Sequence, residues 1–438
     1  EQNYRSTGHI LKAANTLIAH NSGRLGKELW TEDPDGAAIQ VYRAYNERDE
    51  AEFVVNRIQA WVSAGGQRSD CAILYRSNAM SRTLEEALLT AQMPYRVYGG
   101  LRFYERAEIK DALAYLRLIE NRGDDAAYER VVNQPTRGIG ATTLEKFRYR
   151  ARRDQLTMWT ASGITADELP ARAGNAVRGF RDLIDRLAEE TADHTLGEQI
   201  NHVIEQAGLR AHYGKDNTEQ AEARVENLDE LANAARGFEP TEGDEELPAL
   251  SAFLAHAALE AGESQAGEWE DAVQLMSLHA AKGLEFPVVF MIGLEDGLFP
   301  HERAIGEGGL EEERRLCYVG ITRAREQLVI SHAESRRLYR NDQFCVPSRF
   351  LAELPPDCVE EVRPRVSVSR PLGYGASAGL RQTESAGLKL GQRVLHKKFG
   401  EGIVLSLEGE GERARVEVRF ESAGSKWLMQ AIAKLDPI

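Results

Sequence analysis

Short apolar runs alternate with helical patterns in this chain, and the alternation falls into two blocks. Helical patterns such as Ala51–Val62 and Thr83–Gln92 follow strand-like runs in the first block. Strands that alternate with helices predict an α/β fold with a parallel sheet, interrupted here by whatever separates the blocks. The four runs with the length and composition of buried strands are Ile39–Tyr42, Cys71–Tyr75, Val288–Ile292 and Leu328–Ser331.

The stretch between the two blocks has helical periodicity and predicts an all-helical insertion at 100–269. Gly99 and Gly100 stand at its start and predict a hinge, since glycine tolerates large changes of φ and ψ. The sheet domain then comprises 1–99 and 270–366. The apolar residues at helical spacing are Ile109, Leu113, Leu116 and Ile119, then Phe180, Leu183, Ile184 and Leu187, and then Val203, Ile204 and Leu209.

The composition changes again after Pro364. Residues 367–387 are rich in Ser and Gly and lack periodicity, which predicts a flexible linker. In 388–438, Val416, Val418 and Phe420 alternate with charged residues, and Gly400 and Gly402 mark a turn. Short strands with glycine turns predict a small β-barrel.

Bulk properties exclude several classes of protein. The longest apolar runs are far shorter than the roughly 20 residues that span a bilayer, and no signal peptide is visible. The four cysteines, Cys71, Cys317, Cys345 and Cys358, form no CxxC pair or zinc-like cluster, so we predict reduced cytoplasmic thiols and no metal site. The net charge of −15 alone argues against nucleic acid, although a local basic groove still binds DNA on an acidic protein.

No G-x-x-x-x-G-K-[ST] motif is present. Gly23 to Lys27 resembles one superficially, but the spacing differs and no Ser or Thr follows the lysine. The chain alone therefore lacks a visible cradle for nucleotide phosphates and a hydroxyl for Mg²⁺. Because the chain begins with Glu1 rather than Met and enters a motif at once, we expect the natural N-terminus to lie elsewhere.

Seven segments carry polar residues beside glycines, arginines or strand ends. Together, in this order, they resemble the superfamily-one helicases of the UvrD/PcrA/Rep group, and the tail segment GQRVLHKKFGEG (391–402) extends that resemblance over essentially the whole chain. The seven segments are QNYRS (2–6), LYRSNAMSR (74–82), YGGLRFYER with EIKD (98–111), PTRGIG (135–140), SLHAAKGLEF (277–286), GLEDGLFP (293–300) and EEERRLCYVGITRARE (311–326).

The resemblance implies a RecA-like second motor domain with residues that face ATP. Tyr4 would stack on adenine, and Gly283 and Glu285 would lie at the nucleotide, with Glu285 bonded to the ribose. Arg5 and Arg323 would act as arginine fingers that reach the γ-phosphate on the first motor domain, which would hold most of the ATP and Mg²⁺. Ordinary packing and capping remain the alternative for Tyr4 and Glu285, and an ion pair with Glu311 to Glu313 remains the alternative for the arginines.

The same resemblance implies DNA contacts. Stacking and phosphate contacts of this kind hold single strands without reading sequence, and an ordinary loop position is the alternative for each of the two histidines. The Gly138–Thr143 turn resembles a helix–hairpin–helix element, in which glycines let backbone N–H groups approach a duplex phosphate. The single-strand candidates are Arg76, Asn78, Ser277, His279 and His301, and the duplex candidates are Gly138, Gly140 and Thr143.

The tail resembles a Tudor-like module that contacts RNA polymerase in this family. We expect Lys397, Lys398 and Lys426 to be available to a partner, while Trp427 is either core or interface. The core residues would be Val394, Val404, Val416, Val418 and Phe420.

The implied function is the C-terminal part of a bacterial, cytoplasmic, ATP-dependent 3′–5′ DNA helicase that acts in DNA repair. Its expected partners are single-stranded and forked DNA, repair proteins and RNA polymerase, with no membrane. This chain alone is expected to be inactive as an ATPase because the P-loop half is absent. A non-enzymatic module that binds DNA or RNA polymerase is the alternative.

Overall fold

The computed structural model describes most of the chain. The ranges are 6–22, 30–31, 34–216, 218–240, 247–262, 266–267, 269–338, 341–362, 393–396, 400–408, 415–420, 424–429 and 435–437. They fall into two compact units, 1–365 and 366–438. Tyr4, Arg5 and the predicted linker at 367–387 lie outside the described residues.

The first unit contains a seven-stranded sheet within its described residues, and every neighbouring pair of strands is parallel. The α/β fold with a parallel sheet is therefore confirmed. The order is β3-β4-β2-β5-β6-β1-β9, with β7 and β8 pairing separately as an antiparallel hairpin. The bounds are β1 Ile39–Ala44, β2 Cys71–Tyr75, β3 Tyr95–Val97, β4 Val273–Ser277, β5 Phe286–Met291, β6 Ala324–Ala333, β7 Ser335–Leu338, β8 Asn341–Phe344 and β9 Val359–Val362.

Both faces of the sheet are covered, which explains why its central strands are continuous apolar runs. In β2, Leu74 belongs to a buried cluster with Ile10 of the first helix, whereas Ile73 packs on the opposite side with Val54. The helices of the sheet region are α1 Gly8–Ile18, α2 Glu47–Ser63 and α3 Ser81–Thr90, and later α13 Glu302–Gly306, α14 Leu310–Ile321 and α15 Arg349–Ala352.

Between β3 and β4 the described residues form helices and no strand. One large apolar cluster holds them together, with Tyr115, Phe147 and Phe180 fully buried in it. These helices are α4 Ala107–Glu120, α5 Asp125–Val131, α6 Ala141–Asp154, α7 Met158–Ala166, α8 Ala171–Glu190, α9 Leu196–Gln206, α10 Leu209–Tyr213, α11 Glu219–Arg236 and α12 Ala249–Gly262.

One detail of the predicted periodicity is wrong. Val203 and Ile204 lie in α9, but Leu209 begins α10, so the three do not share one helix. Gly208 separates the two helices because it adopts a left-handed φ of 78°, which ends α9 and turns the chain.

The second unit is an antiparallel sheet in the order β13-β12-β11-β10-β14. Val394, Val416 and Val418 are fully buried in its core, as predicted. Lys397 and Lys398, and the side chains of Val404, Phe420, Lys426 and Trp427, lie outside the described residues. The strands are β10 Arg393–His396, β11 Gly400–Glu408, β12 Arg415–Phe420, β13 Gly424–Met429 and β14 Leu435–Pro437.

No helix in the described parts of the chain is long and apolar enough to cross a membrane. Within the same residues, no group of three or more His, Cys, Asp and Glu side chains is arranged to hold a metal ion.

Candidate functional site

The carboxyl ends of neighbouring parallel strands bring three distant segments to one edge of the sheet. Tyr75, the last residue of β2, pairs with Ser277, the last residue of β4, and β5 lies on the other side of β2. The segments that begin with Arg76, Ser277 and Ile292 therefore leave the sheet side by side, where open α/β sheets place their ligands. We call this region the sheet edge.

Arg76 is held at the sheet edge by two carboxylates. Its Nε lies 3.1 Å from both oxygens of Glu313, and its Nη1 lies 3.0 Å from Oε1 of Glu219. Burial alone lowers the pKa of Arg76, but the hydrogen bonds and charge of Glu313 outweigh it, so this pKa is raised above its ordinary value. The guanidinium of Arg76, which is predicted to bind phosphate, is thus charged and largely buried, and it is already bonded to two carboxylates.

The residues that follow Arg76 form a short 3₁₀ turn, Asn78–Met80. Ser77 begins this turn, its hydroxyl accepting from the N–H of Ala79 and donating to Glu226. Asn78 is exposed, and its backbone carbonyl accepts a 3.0 Å hydrogen bond from the buried guanidinium of Arg106. The predicted DNA-contacting side chain of Asn78 therefore faces solvent on a fixed backbone.

Ser277 and His279 lie in the adjacent loop. The Ser277 hydroxyl accepts from the N–H of Ala280 at 3.3 Å, which shapes the first turn of the loop. His279 is exposed, and its Nε2 lies 3.6 Å from Oε1 of Glu219, the carboxylate that also pairs with Arg76. Two predicted single-strand contacts, 203 positions apart in the sequence, therefore meet at one carboxylate.

His301 reaches the same region from the loop after β5. Its backbone N–H donates to Glu313 at 3.0 Å, and its Nε2 lies 3.3 Å from Oε1 of Glu226. The hydrogen bond to Glu226 raises the pKa of His301 above its ordinary value, against the lowering effect of burial. The structure thus brings Arg76, His279 and His301 together around α11.

Arg323 lies close to two of the predicted nucleotide residues. Its side chain donates to the carbonyls of Val319 at 3.0 Å and of Leu284 at 2.8 Å, and Leu284 lies between Gly283 and Glu285. Gly283 has a φ of 91°, which favours glycine, and Glu285 lies 3.9 Å from Arg325 with 44% of its side chain exposed.

The residue after Arg5 is fixed beside Arg323. The Ser6 hydroxyl donates to the carbonyl of Ala324 at 2.7 Å, and the N–H of Thr7 donates to the carbonyl of Arg325 at 3.2 Å. The chain that leaves QNYRS therefore runs directly along the segment that contains Arg323.

The predicted duplex contact lies in the helical insertion. Gly138 has a φ of 85° and is exposed, Gly140 is the N-cap of α6 and is also exposed, and Thr143 occupies the first turn of that helix. The buried Ile139 anchors the turn from behind. Arg137 also serves the fold, since it stacks between Tyr115 and Phe180 rather than extending from the turn.

Comparison with known proteins gives matches over both units. The family described as "UvrD-like helicase C-terminal domain" matches residues 1–335, and the "PcrA/UvrD tudor domain" matches 390–438. This chain belongs to the UvrD-like helicase C-terminal domain family. Its tail carries the Tudor domain found with PcrA and UvrD.

Relatives of this UvrD-like chain include DNA helicase II of Escherichia coli, which is 57% identical over 100% of this chain. DNA helicase II of Haemophilus influenzae is 52% identical, and the ATP-dependent DNA helicase PcrA of Bacillus subtilis is 41% identical, each also over 100% of this chain. The chain spans 61% of the length of the two helicase II proteins and 62% of the PcrA protein.

The predicted ion-pair alternative for Arg323 concerned Glu311 to Glu313. In this UvrD-like chain Glu311 binds the hydroxyl and N–H of Ser22, and Glu312 pairs with Arg315 at 2.7 Å. Glu313 pairs with Arg76. The acidic segment therefore binds Arg76 at the sheet edge and Ser22 in the loop after α1. The sequence of the motif does not reveal these contacts.

Sequence reasoning missed the carboxylates that face the predicted DNA contacts. Glu219 and Glu226 belong to α11 of the insertion, and Ser77 and Glu226 are 149 positions apart. Because they are seven residues apart, they lie on one face of the helix, but this spacing does not predict which residues that face contacts.

Proposed function

We propose that this UvrD-like chain is the C-terminal part of an ATP-dependent DNA helicase that moves 3′ to 5′ on single-stranded DNA. The observation that carries the proposal is the sheet edge, where Arg76, Ser277 and His279 converge although they come from separate segments. A row that presents a guanidinium, a hydroxyl and an imidazole fits the backbone of a single strand. His301 extends the row on the far side.

The residues around Arg323 fit the outer part of a nucleotide site. An exposed carboxylate at Glu285, an open glycine at Gly283 and a guanidinium at Arg323 lie within one short stretch of structure. When bound, ATP supplies the phosphoanhydride bond whose hydrolysis drives the cycle. In this proposal Arg323, together with Arg5, stabilises the negative charge that develops on the transferred phosphoryl group. Tyr4 stacks on the adenine.

The cradle for the phosphates and the ligands for Mg²⁺ belong to another part of the complete protein, because this chain carries no P-loop. Closure of the two motor domains brings Arg5 and Arg323 into the nucleotide site. When the domains reopen, binding to the single strand weakens. The Gly138–Thr143 turn holds the duplex ahead of the fork. DNA repair in the bacterial cytoplasm is the proposed setting, with RNA polymerase and repair proteins as partners of the Tudor domain.

Substitution of Arg323 in the complete protein tests the proposal. We expect Arg323→Ala to reduce single-strand-stimulated ATP turnover by about 10³-fold or more, the scale of an arginine finger, with unchanged affinity for single strands. Arg315→Ala, on the exposed face of α14, is the matched control and should leave turnover unchanged.

Arg323 also bonds to backbone carbonyls, so its removal could loosen the fold. Arg323→Lys keeps the charge but loses the planar fork, and thermal unfolding of both variants separates the two effects. A loss of turnover that merely follows a loss of folded protein would contradict the finger role. The non-enzymatic alternative is favoured if the complete protein binds forks without turning over ATP.

A further inference from the structure

Helix α11 carries three glutamates on one face, Glu219, Glu222 and Glu226, which we call the carboxylate row. At 1.5 Å of rise per residue, the row is about 10 Å long, on the order of three nucleotides of a stacked strand. Negative groups at this spacing resemble the backbone of a short single strand in charge and extent.

Both ends of the carboxylate row bind residues that are proposed to contact DNA. Glu219 pairs with Arg76 at 3.0 Å and lies 3.6 Å from His279, and Glu226 lies 3.3 Å from His301. The row therefore lies along the sheet edge, against side chains that contact phosphates in the proposed function.

The middle member of the row has a partner that no motif suggested. Glu222 forms an ion pair with Arg303, which lies in α13 two residues after His301. Arg303 also pairs with Glu307 at 2.9 Å, and 41% of its side chain is exposed. The short helix α13 has no buried residue. Because exposed ion pairs contribute only about 0–1 kcal/mol, stability gives little reason for an arginine here.

We propose that Arg303 is a further phosphate-binding residue of the single-strand track, and that the carboxylate row occupies this track until DNA displaces it. The proposal rests on the proposed function, since it takes the sheet edge to be where the strand binds. An arginine presents a planar fork that suits phosphate as well as carboxylate, so Glu222 and a phosphate compete for one guanidinium.

The first test compares Arg303→Gln with the unchanged chain in binding a fluorescent oligothymidine over a series of salt concentrations. We expect a several-fold loss of affinity, and a fall of about 0.7 in the slope of log K against log salt, the value for one lost phosphate contact on a single strand. The matched control is Arg186→Gln, which removes an arginine of α8 that also pairs with a glutamate four positions on. An affinity and slope equal to those of the unchanged chain would overturn the role of Arg303.

The second test is a double-mutant cycle between Glu222 and Arg303. We expect Glu222→Gln to raise single-strand affinity, because it releases Arg303, and to have no such effect when Arg303 is already glutamine. An equal gain in both backgrounds would show a general effect of charge and contradict the competition. If the unchanged chain binds no single-stranded DNA at all, the proposed function itself fails, and this inference fails with it.

Discussion

At the level of single residues, His301 links the sheet edge to the helical insertion. Its imidazole bonds to Glu226 of α11, with the charges of Arg76 and Glu313 nearby, and its pKa is raised above the ordinary 6.5 by the Glu226 hydrogen bond. A histidine whose folded pKa exceeds its unfolded pKa stabilises the fold fully below the unfolded value. The contribution is lost as the pH rises through the folded pKa.

We therefore predict that His301→Gln costs stability at low pH and little at high pH. The measurement is urea unfolding of both proteins from about pH 6 to about pH 9, with the difference in unfolding free energy plotted against pH. The pKa of His256 is also raised, by its hydrogen bond to Glu260, so His256 gives a pH dependence of the same sign. His256 is present in both the unchanged chain and the His301→Gln variant, so its contribution cancels in the difference between their unfolding free energies. A difference that stays constant with pH would exclude this coupling.

Single residues also mark how far sequence reasoning reaches. Arg76 could be placed at a strand end because it follows the predicted strand Cys71–Tyr75, whereas Ser277 was assigned to the same region through the family resemblance, since its strand β4 was not predicted. Glu219 and Glu226 could not be assigned to this region, because their contact with the sheet edge depends on how the insertion folds back over a long separation in sequence. The periodicity of a sequence shows which residues share one face of a helix, but it does not show which other element that face contacts.

At the level of elements, a buried ionic cluster joins α2, β6, β7 and the loop after β5. Arg336 is 6% exposed and pairs with Glu295 at 2.6 Å and with Glu50, which are 1% and 2% exposed. Glu50 also accepts from the Ser331 hydroxyl at 2.7 Å and from the N–H of Gly293 at 3.0 Å. The loop that leads to His301 is thus fixed by charge and hydrogen bonds.

We predict that Arg336→Met destabilises the chain by about 3–5 kcal/mol, because it leaves two buried carboxylates without their cation. The control is Arg43→Met, whose partner Glu334 is 2.7 Å away but whose side chain is 66% exposed, and which should cost about 1 kcal/mol or less. Urea unfolding of the two variants measures both values. Equal losses would mean that the cluster contributes no more than a surface pair.

The Gly138 turn gives a prediction for the insertion. Gly138→Ala should destabilise by about 1–2 kcal/mol because its φ of 85° is left-handed, and it should also weaken binding of forked DNA more than of single strands. Gly179→Ala, in the exposed interior of α8, should instead stabilise by up to about 1 kcal/mol and leave fork binding unchanged. Fork binding that survives Gly138→Ala intact would remove the turn from the duplex contact.

Strands differed in how well they could be predicted. β2, β5 and β6 contain runs of apolar residues that are buried on both faces, and these runs were predicted, as was the partly buried run of β1. β3 and β9 were missed because they are the two edges of the sheet, where β3 has three residues and β9 carries Glu360 and Glu361. β4 was also missed, although Val273, Leu275 and Met276 are buried in it.

At the level of the whole molecule, the proposed activity is divided between this chain and a part that it does not contain. The relatives named above are longer, and this chain aligns with 61–62% of their length. In the proposed function the UvrD-like chain supplies Arg323, the sheet edge and the helical insertion, and the phosphate cradle comes from the other part of the complete protein. Two halves that each lack part of one active site should be inactive apart and active together.

The most direct measurement is therefore the single-strand-stimulated ATPase activity of this chain alone and mixed with a purified fragment that carries the P-loop half of a relative. The account predicts turnover only in the mixture, and loss of that turnover when the chain carries Arg323→Ala. Turnover by this chain alone would contradict the account, because the sequence carries no G-x-x-x-x-G-K-[ST] motif to hold the phosphates.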